Sequence, residues 1–413
     1  MLYLKDPRRK RGRTYRPGIN EWLISSLFML EILNSFLSEI ALVWNLPYST
    51  GYGLIFGLFL AAVSWVRCFL QNPKVPLLTI LIAALCLFAS CMYNPEIFGL
   101  FFDFGDGSVL QIIQSNFVIL FGLCLPAFLL CFCPVDTKRL CTDLYRYSVV
   151  NTVLFVFLMA LNMLGFSEWL NYMNVAYNAL PGIAFLFYDA GANHRKTSTL
   201  LWMLGVLGVA LGGSRGALLT LFVILFLWWV RGLRKMTLKK LVLIYAVGVF
   251  IILAILNLEE LIGRIDDLLQ SFGYESRLVQ KYLNTSRDGN LFVFEDRAAL
   301  IEKITSNLGF WGHGIYSDRL VLDGQYVHNF FLEILYQFGV FIGLFIILFV
   351  LIFIYTSYRN SRKKQEDFLL FGCVILISLL FAKLMFSQSY LGDRSAWFFA
   401  GMTYLAYKNQ GNR

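Results

Sequence analysis

The chain has 413 residues; 58% of them are hydrophobic, 15% are charged, and the mean hydropathy is +0.65. Soluble globular proteins carry about 25% charged residues, so this composition excludes a soluble protein with a single buried core. Apolar runs of roughly 17–25 residues, long enough to cross a bilayer as helices, recur along the chain. The strands of a membrane β-barrel would instead alternate over about 10 residues. We therefore predict an all-α polytopic membrane protein.

The first 20 residues, MLYLKDPRRKRGRTYRPGIN, are strongly basic and lack a small-residue cleavage site. Because a long apolar run follows them, we expect residues 1–20 to be a retained cytoplasmic tail rather than a cleaved signal peptide. A basic tail can also indicate nucleic-acid binding. Beside a membrane helix, however, a basic tail usually sets topology and contacts anionic lipid, so we expect the bilayer and no nucleic acid as its partner.

Twelve apolar segments are predicted to cross the membrane, nine of them within residues 21–257 and three within residues 328–407. The segments are 21–43, 51–67, 76–93, 109–133, 147–166, 171–189, 198–212, 215–231, 241–257, 328–355, 367–386 and 395–407. Pro181 interrupts the apolar sequence of the sixth segment.

Basic residues gather in alternate connections, which the positive-inside rule assigns to the cytoplasmic side. Both termini fall on that side, including the short tail at residues 408–413. The basic residues concerned are Arg67, Lys74, Lys138, Arg139, Arg146, Arg195, Lys196, Arg231, Arg234, Lys235, Lys239, Lys240, Arg359, Arg362, Lys363, Lys364 and Lys408.

One outer connection, residues 258–327, is much longer than the others. It begins with apolar residues at helical spacing: Leu258, Leu261, Ile262, Ile265, Leu268 and Leu269. The later stretch EDRAALIEKITSNLGF predicts a second short amphipathic helix that starts near Glu295 or Asp296. We expect these helices to lie along the membrane surface, and long loops of this kind usually carry function.

The cysteines and histidines do not form a metal or redox pattern. Eight cysteines lie in or beside apolar runs without C-x-x-C spacing: Cys68, Cys86, Cys91, Cys124, Cys131, Cys133, Cys141 and Cys373. The three histidines fall on two predicted sides of the membrane, and no D-x-D motif is present. The sequence therefore predicts no disulfide framework and a reaction that needs no metal, nucleotide or other cofactor.

The stretch LGGSRGALLTL, from Leu211 to Leu221, links the seventh and eighth predicted spans. Its glycines permit a tight turn and leave room for a ligand. Arg215 then lies at the outer start of the eighth span, where a helix N-terminus attracts anions and a guanidinium fits phosphate oxygens. The alternative interpretation is an arginine that anchors the helix at the lipid head groups.

Arg297 and His328 are further candidates. Arg297 lies in the predicted amphipathic helix, where surface salt bridges with its acidic neighbours are the alternative. His328 and Asn329 lie where the outer loop becomes the tenth span; an imidazole there suits proton transfer, and the alternative is a helix cap. His313, in a glycine-rich turn, is a rival for that role.

Lys383 lies inside the eleventh predicted span near its outer end, with Asp393 and Arg394 on the same side. A lysine within a membrane segment is a functional hypothesis by default. It would either attract an anionic substrate or extend its ammonium group to the head groups.

Three stretches together resemble the bacterial O-antigen ligase and Wzy-type polysaccharide polymerase superfamily: GGSRGALLTL, then EDRAALIEKI with LGFWGHGIYSD, then HNFFLEILYQFGVFIGL. In that superfamily an S-R-G segment starts an outer helix, an arginine-containing helix precedes a G-x-G turn, and an H-N pair opens the next span. Here Gly312–Gly314 is the turn, and Gly339 follows His328 after ten residues. The resemblance covers roughly residues 200–345. Phe226 and Ile342 depart from the polymerase and ligase patterns respectively, which leaves these two activities open.

The resemblance implies a metal-independent, inverting glycosyltransferase of the C-type class at the outer face of the bacterial cytoplasmic membrane. Its donor would be a glycan on undecaprenyl diphosphate. Arg215 and Arg297 would stabilise the leaving diphosphate, and His328 would accept a proton from the acceptor hydroxyl. Residues expected to help bind substrate are Ser214, Asn329, His313, Lys383 and Arg394.

Three functions follow from these observations. The first is a polymerase of O-antigen, capsule or exopolysaccharide repeat units, with a chain-length regulator and a flippase as partners. The second is a ligase that transfers the glycan to lipid A core or to protein. The third, from another class, is a polysaccharide transporter or flippase, which would place charges near the membrane midplane rather than at one face.

Overall fold

The computed structural model describes residues 18–43, 50–95, 109–163, 172–211, 214–231, 295–364 and 366–408, and six positions between 263 and 271. Within these ranges the regular structure is helical, with no strand. The helices are α1 (Ile19–Val43), α2 (Thr50–Gln71), α3 (Lys74–Tyr93), α4 (Val109–Ile119), α5 (Leu125–Leu130), α6 (Thr137–Met163), α7 (Tyr172–Asn193), α8 (Lys196–Leu211), α9 (Arg215–Arg231), α10 (Glu295–Thr305), α11 (Ser317–Val321), α12 (Phe330–Lys364), α13 (Asp367–Ser378), α14 (Leu384–Phe386) and α15 (Arg394–Lys408).

Among the described residues, five helices are long and apolar enough to cross a membrane. They are Gly53–Gln71, Lys74–Tyr93, Ile112–Leu130, Thr137–Asn162 and Phe330–Lys363. Three shorter apolar helices accompany them: Ile19–Leu30, Lys196–Ala210 and Gly216–Arg231. These helices confirm the all-α class and the potential for several membrane spans. The count of twelve spans stays a prediction, because the predicted span 241–257 lies outside the described residues, as does most of 258–294.

The bundle is organised around α1 and α15. Helix α1 packs against α2, α5, α6 and α7, whereas α15 packs against α5, α12 and α13. Their buried apolar side chains belong to one continuous core. Helix α3 lies at the periphery with most of its surface exposed, as expected for a helix that faces lipid.

Helix α7 is continuous from Tyr172 to Asn193, with Pro181 inside it. Proline removes the hydrogen bond that its N–H would donate to the carbonyl of Tyr177. Membrane helices tolerate this loss when neighbouring helices hold them in place. Here α7 is packed against α1, α6 and α8, which supply that support.

The helix ends fall into two groups at opposite ends of the bundle. One group, which we call the basic end, includes Arg231, Lys363 and Lys408. There the guanidinium of Arg231 pairs with Asp367, and Lys408 Nζ donates to the carbonyl of Phe132 at 3.1 Å. The other group, the site end, contains the first residues of α7, α9, α12 and α15 together with α10 and α11.

Helix α12 is broken at Gly339, so the predicted tenth span at residues 328–355 is not one straight helix. Gly339 has φ 79° and ψ 163°, which lie outside the helical region. The short helix before it, Phe330–Phe338, begins immediately after His328 and Asn329. Gly339 therefore ends the short helix that His328 precedes, which gives the spacing of these two residues a structural reason.

The turn around Gly312 crosses α12 at this break. The N–H groups of His313 and Gly314 donate to the carbonyls of Tyr336 and Gln337 at 3.1 and 2.8 Å. A Cβ atom at Gly312 would overlap the backbone at Gly339, and a Cβ at Gly339 would overlap the backbone of the turn. Both glycines also have positive φ, so the crossing requires glycine on each side.

Candidate functional site

Ser387 is the centre of a group of polar side chains at the site end. The Tyr177 and Ser387 hydroxyls are hydrogen-bonded to each other, and the Tyr326 hydroxyl donates to the Ser387 carbonyl at 2.9 Å. The rings of Tyr326 and His328 are in contact, with centroids 4.2 Å apart. We call Tyr177, Tyr326, His328 and Ser387 the Ser387 cluster. It joins α7, the loop before α12 and the loop before α15.

His328 is held in a constrained and partly buried position. Its backbone has φ 53°, which is uncommon for a non-glycine residue. Nδ1 is buried and has no hydrogen-bond partner among the described residues. The ring also forms a hydrogen bond with the Ser387 backbone that favours the protonated form, from which we infer that Nε2–H donates to that carbonyl. Nδ1 then carries the lone pair.

Two features of the surroundings keep His328 neutral. Burial of the ring, and after it the positive charge of Arg297, lower the pKa of His328 to about 4. The charge of Arg319 acts in the same direction. His328 is therefore an uncharged imidazole near neutral pH, ready to accept a proton.

Arg297 lies on α10 and is half-buried. Its charge affects the pKa of both His328 and Tyr326, so the guanidinium is close to both side chains. Burial raises the pKa of Tyr326 to about 12, and the charges of Arg319 and Arg297 partly oppose that rise. Arg297 and His328, two of the three predicted catalytic residues, are therefore near enough for the charge of one to act on the other.

Arg215, the third predicted catalytic residue, is the first residue of α9; its side chain lies outside the described part of the structure. Its neighbour Gly216 lies directly against the Ser387 cluster. A Cβ atom at Gly216 would overlap the Tyr177 hydroxyl and lie 2.8 Å from Ser387 Oγ. The N-terminus of α9 therefore abuts the cluster, with the partial positive charge that a helix N-terminus carries.

Three of the predicted substrate-binding residues have structural contacts. The Ser214 hydroxyl accepts the N–H of Ala217 at 3.4 Å and so caps α9. Asn329 Oδ1 caps α12 in the same way, through two backbone N–H groups at 3.1 Å. The His313 ring stacks on Tyr336 with centroids 4.4 Å apart, at the glycine crossing rather than in the Ser387 cluster. Substrate contacts of these residues stay predictions.

Lys383 is buried, so the alternative in which it extends to the head groups is wrong. Its Nζ lies 2.9 Å from Asp393 Oδ2 and 5.2 Å from the ring centroid of Tyr177. A π-helical turn, Leu379–Lys383, follows α13 and ends at this lysine. Arg394 begins α15 next to Asp393 and lines a small cavity together with Asn178. Lys383 therefore lies close to the Ser387 cluster.

A second polar network, which sequence reasoning missed, lies beside the cluster. Its members, all at least partly buried, are Asp318, Arg319, Glu333, Gln337, Ser389 and Tyr390, and we call them the Arg319 network. Arg319 pairs with Asp318 and donates to Glu333 Oε1 at 2.6 Å and to Ser389 Oγ at 2.5 Å. Its guanidinium also lies 5.5 Å from the Tyr326 ring centroid, which connects the network to the cluster.

The remaining contacts of the network tie three elements together. Gln337 Nε2 donates to Asp318 Oδ1 at 2.8 Å, and the Tyr390 hydroxyl donates to Gln337 Oε1 at 2.7 Å. The network therefore joins α11, the short helix before Gly339 and the loop before α15. The sequence did contain a signal for this network. Glu333 and Gln337 lie one helical turn apart in an apolar segment, and polar or charged side chains in such segments are usually paired.

Comparison of the chain with protein-family models, with curated proteins and with solved structures finds no match. The eight cysteines are free thiols. Within the described residues there is no group of three or more His, Cys, Asp or Glu side chains that could hold a metal ion. What the site offers is cationic groups and a helix N-terminus for an anion, beside a neutral imidazole that can accept a proton.

Proposed function

We propose that this protein joins oligosaccharide repeat units that are carried on undecaprenyl diphosphate, as a polysaccharide polymerase at the outer face of the bacterial cytoplasmic membrane. The observation that carries the proposal is that His328 and the N-terminus of α9 both border Ser387, within range of the charge of Arg297. These groups are far apart in the sequence and come from three elements. The resemblance of the same three stretches to the O-antigen ligase and Wzy-type superfamily supports this assignment.

The two arginines would act on the leaving group. When the bond between the sugar and the diphosphate breaks, the electron pair stays on the phosphate oxygen and negative charge grows there. Arg297 on α10 and Arg215 at the start of α9 would stabilise that charge through charge-assisted hydrogen bonds. The helix N-terminus adds partial positive charge at the same point.

His328 would act on the acceptor sugar. An acceptor sugar hydroxyl attacks the anomeric carbon of the donor, on the face opposite the leaving diphosphate. Its proton passes to Nδ1 of His328, the ring nitrogen that carries the lone pair. The hydrogen bond from Nε2–H to the Ser387 carbonyl and the contact with Tyr326 hold the ring in place.

Donor binding would also strengthen the base. The charge of Arg297 is one reason why the pKa of His328 is low. A diphosphate bound to Arg297 would neutralise that charge and raise the pKa of His328 towards its ordinary value. His328 would therefore become a better proton acceptor only after the donor has bound.

Substitution of single site residues in cells tests the proposal. We expect Arg215→Ala, Arg297→Ala and His328→Asn each to abolish polymer and to cause single lipid-linked repeat units to accumulate. His194→Asn is a matched control, because His194 also has φ 53° but lies at the basic end, and asparagine tolerates this backbone conformation. Arg359→Ala on α12 is the control for loss of an arginine.

The lipid-linked products distinguish the competing functions. Accumulation of full-length polymer on the lipid would indicate a ligase, which would use the same donor site with a different acceptor. Repeat units retained on the cytoplasmic side would indicate a flippase. Normal amounts of long polymer in all three site variants would refute the assignment of these residues.

A further inference from the structure

A groove of about 390 Å3 opens between α9 and α12, away from the Ser387 cluster. Helix α13 contacts both helices and contributes to the lining. Ile354 and Val374 are buried at its base, whereas Val230, Tyr355 and Phe381 are exposed at its edges. The volume lies within the range of about 300–1,000 Å3 that is typical of ligand sites.

The charge of the groove is concentrated at one end. Arg231 and Arg362 line it at the basic end, while its other lining residues are apolar or tyrosine. Arg231 packs over the ring of Trp228, with Cζ 4.1 Å from the centroid, and pairs with Asp367. A guanidinium has five N–H donors, so Arg231 can hold this carboxylate and a phosphate oxygen together. The end of the groove is thus suited to a phosphate.

The length of the groove matches one leaflet of a bilayer. Leu351 and Arg362 lie about 17 Å apart along α12, at about 1.5 Å per residue. The hydrocarbon of one leaflet is about 15 Å thick, half of the core. Tyr358, one turn from Arg362, lies at the depth where tyrosines are enriched in membrane proteins.

We propose that this groove binds one anionic glycerophospholipid from the leaflet at the basic end. The phosphate would contact Arg231 and Arg362, and one acyl chain would lie along Ile354 and Val374. The donor of the proposed reaction is a poor fit, because its diphosphate belongs at the opposite end, beside the Ser387 cluster. The lipid site is therefore independent of the proposed function.

Lipid retention tests this site. The full-length protein would be placed in nanodiscs of mixed phosphatidylglycerol and phosphatidylcholine, released into mild detergent and weighed intact by native mass spectrometry. We expect one retained phosphatidylglycerol, enriched over its share of the nanodisc. Arg362→Gln should reduce the retained fraction about fivefold, the contribution of one basic side chain to an anionic head group. Arg359→Gln removes the same charge from α12 outside the groove lining and should have no effect.

A second variant tests the apolar part of the groove. Val230→Trp at the exposed edge should displace the acyl chain and reduce retention, whereas Phe226→Trp on the same helix, outside the lining, should not. Equal losses in Arg362→Gln and Arg359→Gln would show only general surface attraction and would overturn the site. Retention of phosphatidylcholine, of a polyprenyl phosphate or of no lipid would also overturn it.

Discussion

His328 is a histidine whose surroundings work against its protonation. Its ring is partly buried, and two arginine guanidiniums lie near enough to lower its pKa further. An isolated imidazole has a pKa near 6.5 and would be partly protonated in mildly acidic conditions. At this site the proton acceptor stays available over a much wider range of pH.

The pH dependence of transfer follows from this environment. Because the active form is neutral, we expect kcat/KM to stay level as pH falls through 6.5 and to decline only near pH 4, the pKa of His328 in the folded protein. Arg297→Gln should be far slower, and the decline in its residual rate should move to higher pH, since the charge that disfavours the imidazolium is removed. Initial rates with purified protein across pH 3.5–8 would measure it, with return to pH 7 to check reversibility.

Arg359→Gln is the control for that shift and should leave the pH profile unchanged. A decline near pH 6.5 in the unmodified protein would contradict the assignment of His328 as the base. A shift to lower pH in Arg297→Gln would contradict the placement of Arg297 beside it.

The site depends on the break in one helix, α12. Gly339 allows the chain to leave the helix, and the turn at Gly312 fills the gap. Gly339→Ala should destabilise the crossing by about 1–3 kcal/mol or more, because alanine is strained at φ 79° and its Cβ meets the turn. We expect a lower thermal midpoint in detergent and loss of activity.

Gly191→Ala is the matched control for this change. Gly191 lies in α7, and a Cβ atom added there would have no other atom within 4 Å, so alanine should be tolerated. An unchanged thermal midpoint in Gly339→Ala would show that the crossing does not hold α12 in its broken form.

In the Arg319 network, removing one buried charge should lower the stability more than removing all three. Arg319→Met leaves Asp318 and Glu333 buried without their cation and should cost about 3–5 kcal/mol. The triple variant Asp318→Asn, Arg319→Met, Glu333→Gln removes all three charges and should recover part of that loss. Chemical unfolding in detergent would compare them. A triple variant less stable than Arg319→Met would contradict this view of the network.

Over the whole molecule, the hydropathy of the sequence predicted where helices form better than where they are broken. The predicted segment 215–231 coincides with α9, and the amphipathic helix near Glu295 is present as α10. The break at Gly339 was missed because the residues on either side of it are equally apolar. It depends on a turn more than twenty residues earlier, which no local pattern contains.

The candidate site was predictable only in part, for the same reason. Arg297 and His328 were found from their residue types and their positions in the loop. Tyr177 lies in an apolar segment and Ser387 in a short polar loop, and only the packing of α7 against α9 and the loop before α15 brings them together. Likewise, the sequence did not show whether Lys383 attracts an anionic substrate or extends to the head groups, because its partner in the fold is Asp393.

The site end and the basic end of the bundle should be accessible from opposite sides of the membrane. In a background without the native cysteines, Gln325→Cys at the site end should react with a membrane-impermeant maleimide in intact cells. Thr197→Cys at the basic end should react only after the membrane is permeabilised, as the positive-inside rule requires. Both positions are exposed. Labelling of both from the same side would contradict the predicted topology.

In the proposed reaction, the Ser387 cluster joins lipid-linked glycans with His328 as the base. The most direct measurement uses purified protein in liposomes, with a lipid-linked repeat unit as the sole donor and acceptor and a metal chelator present. We predict a ladder of polymer lengths from the unmodified protein and from His194→Asn, and only starting units from His328→Asn. A ladder from His328→Asn equal to that of the unmodified protein, or no joining by the unmodified protein, would contradict the proposed reaction.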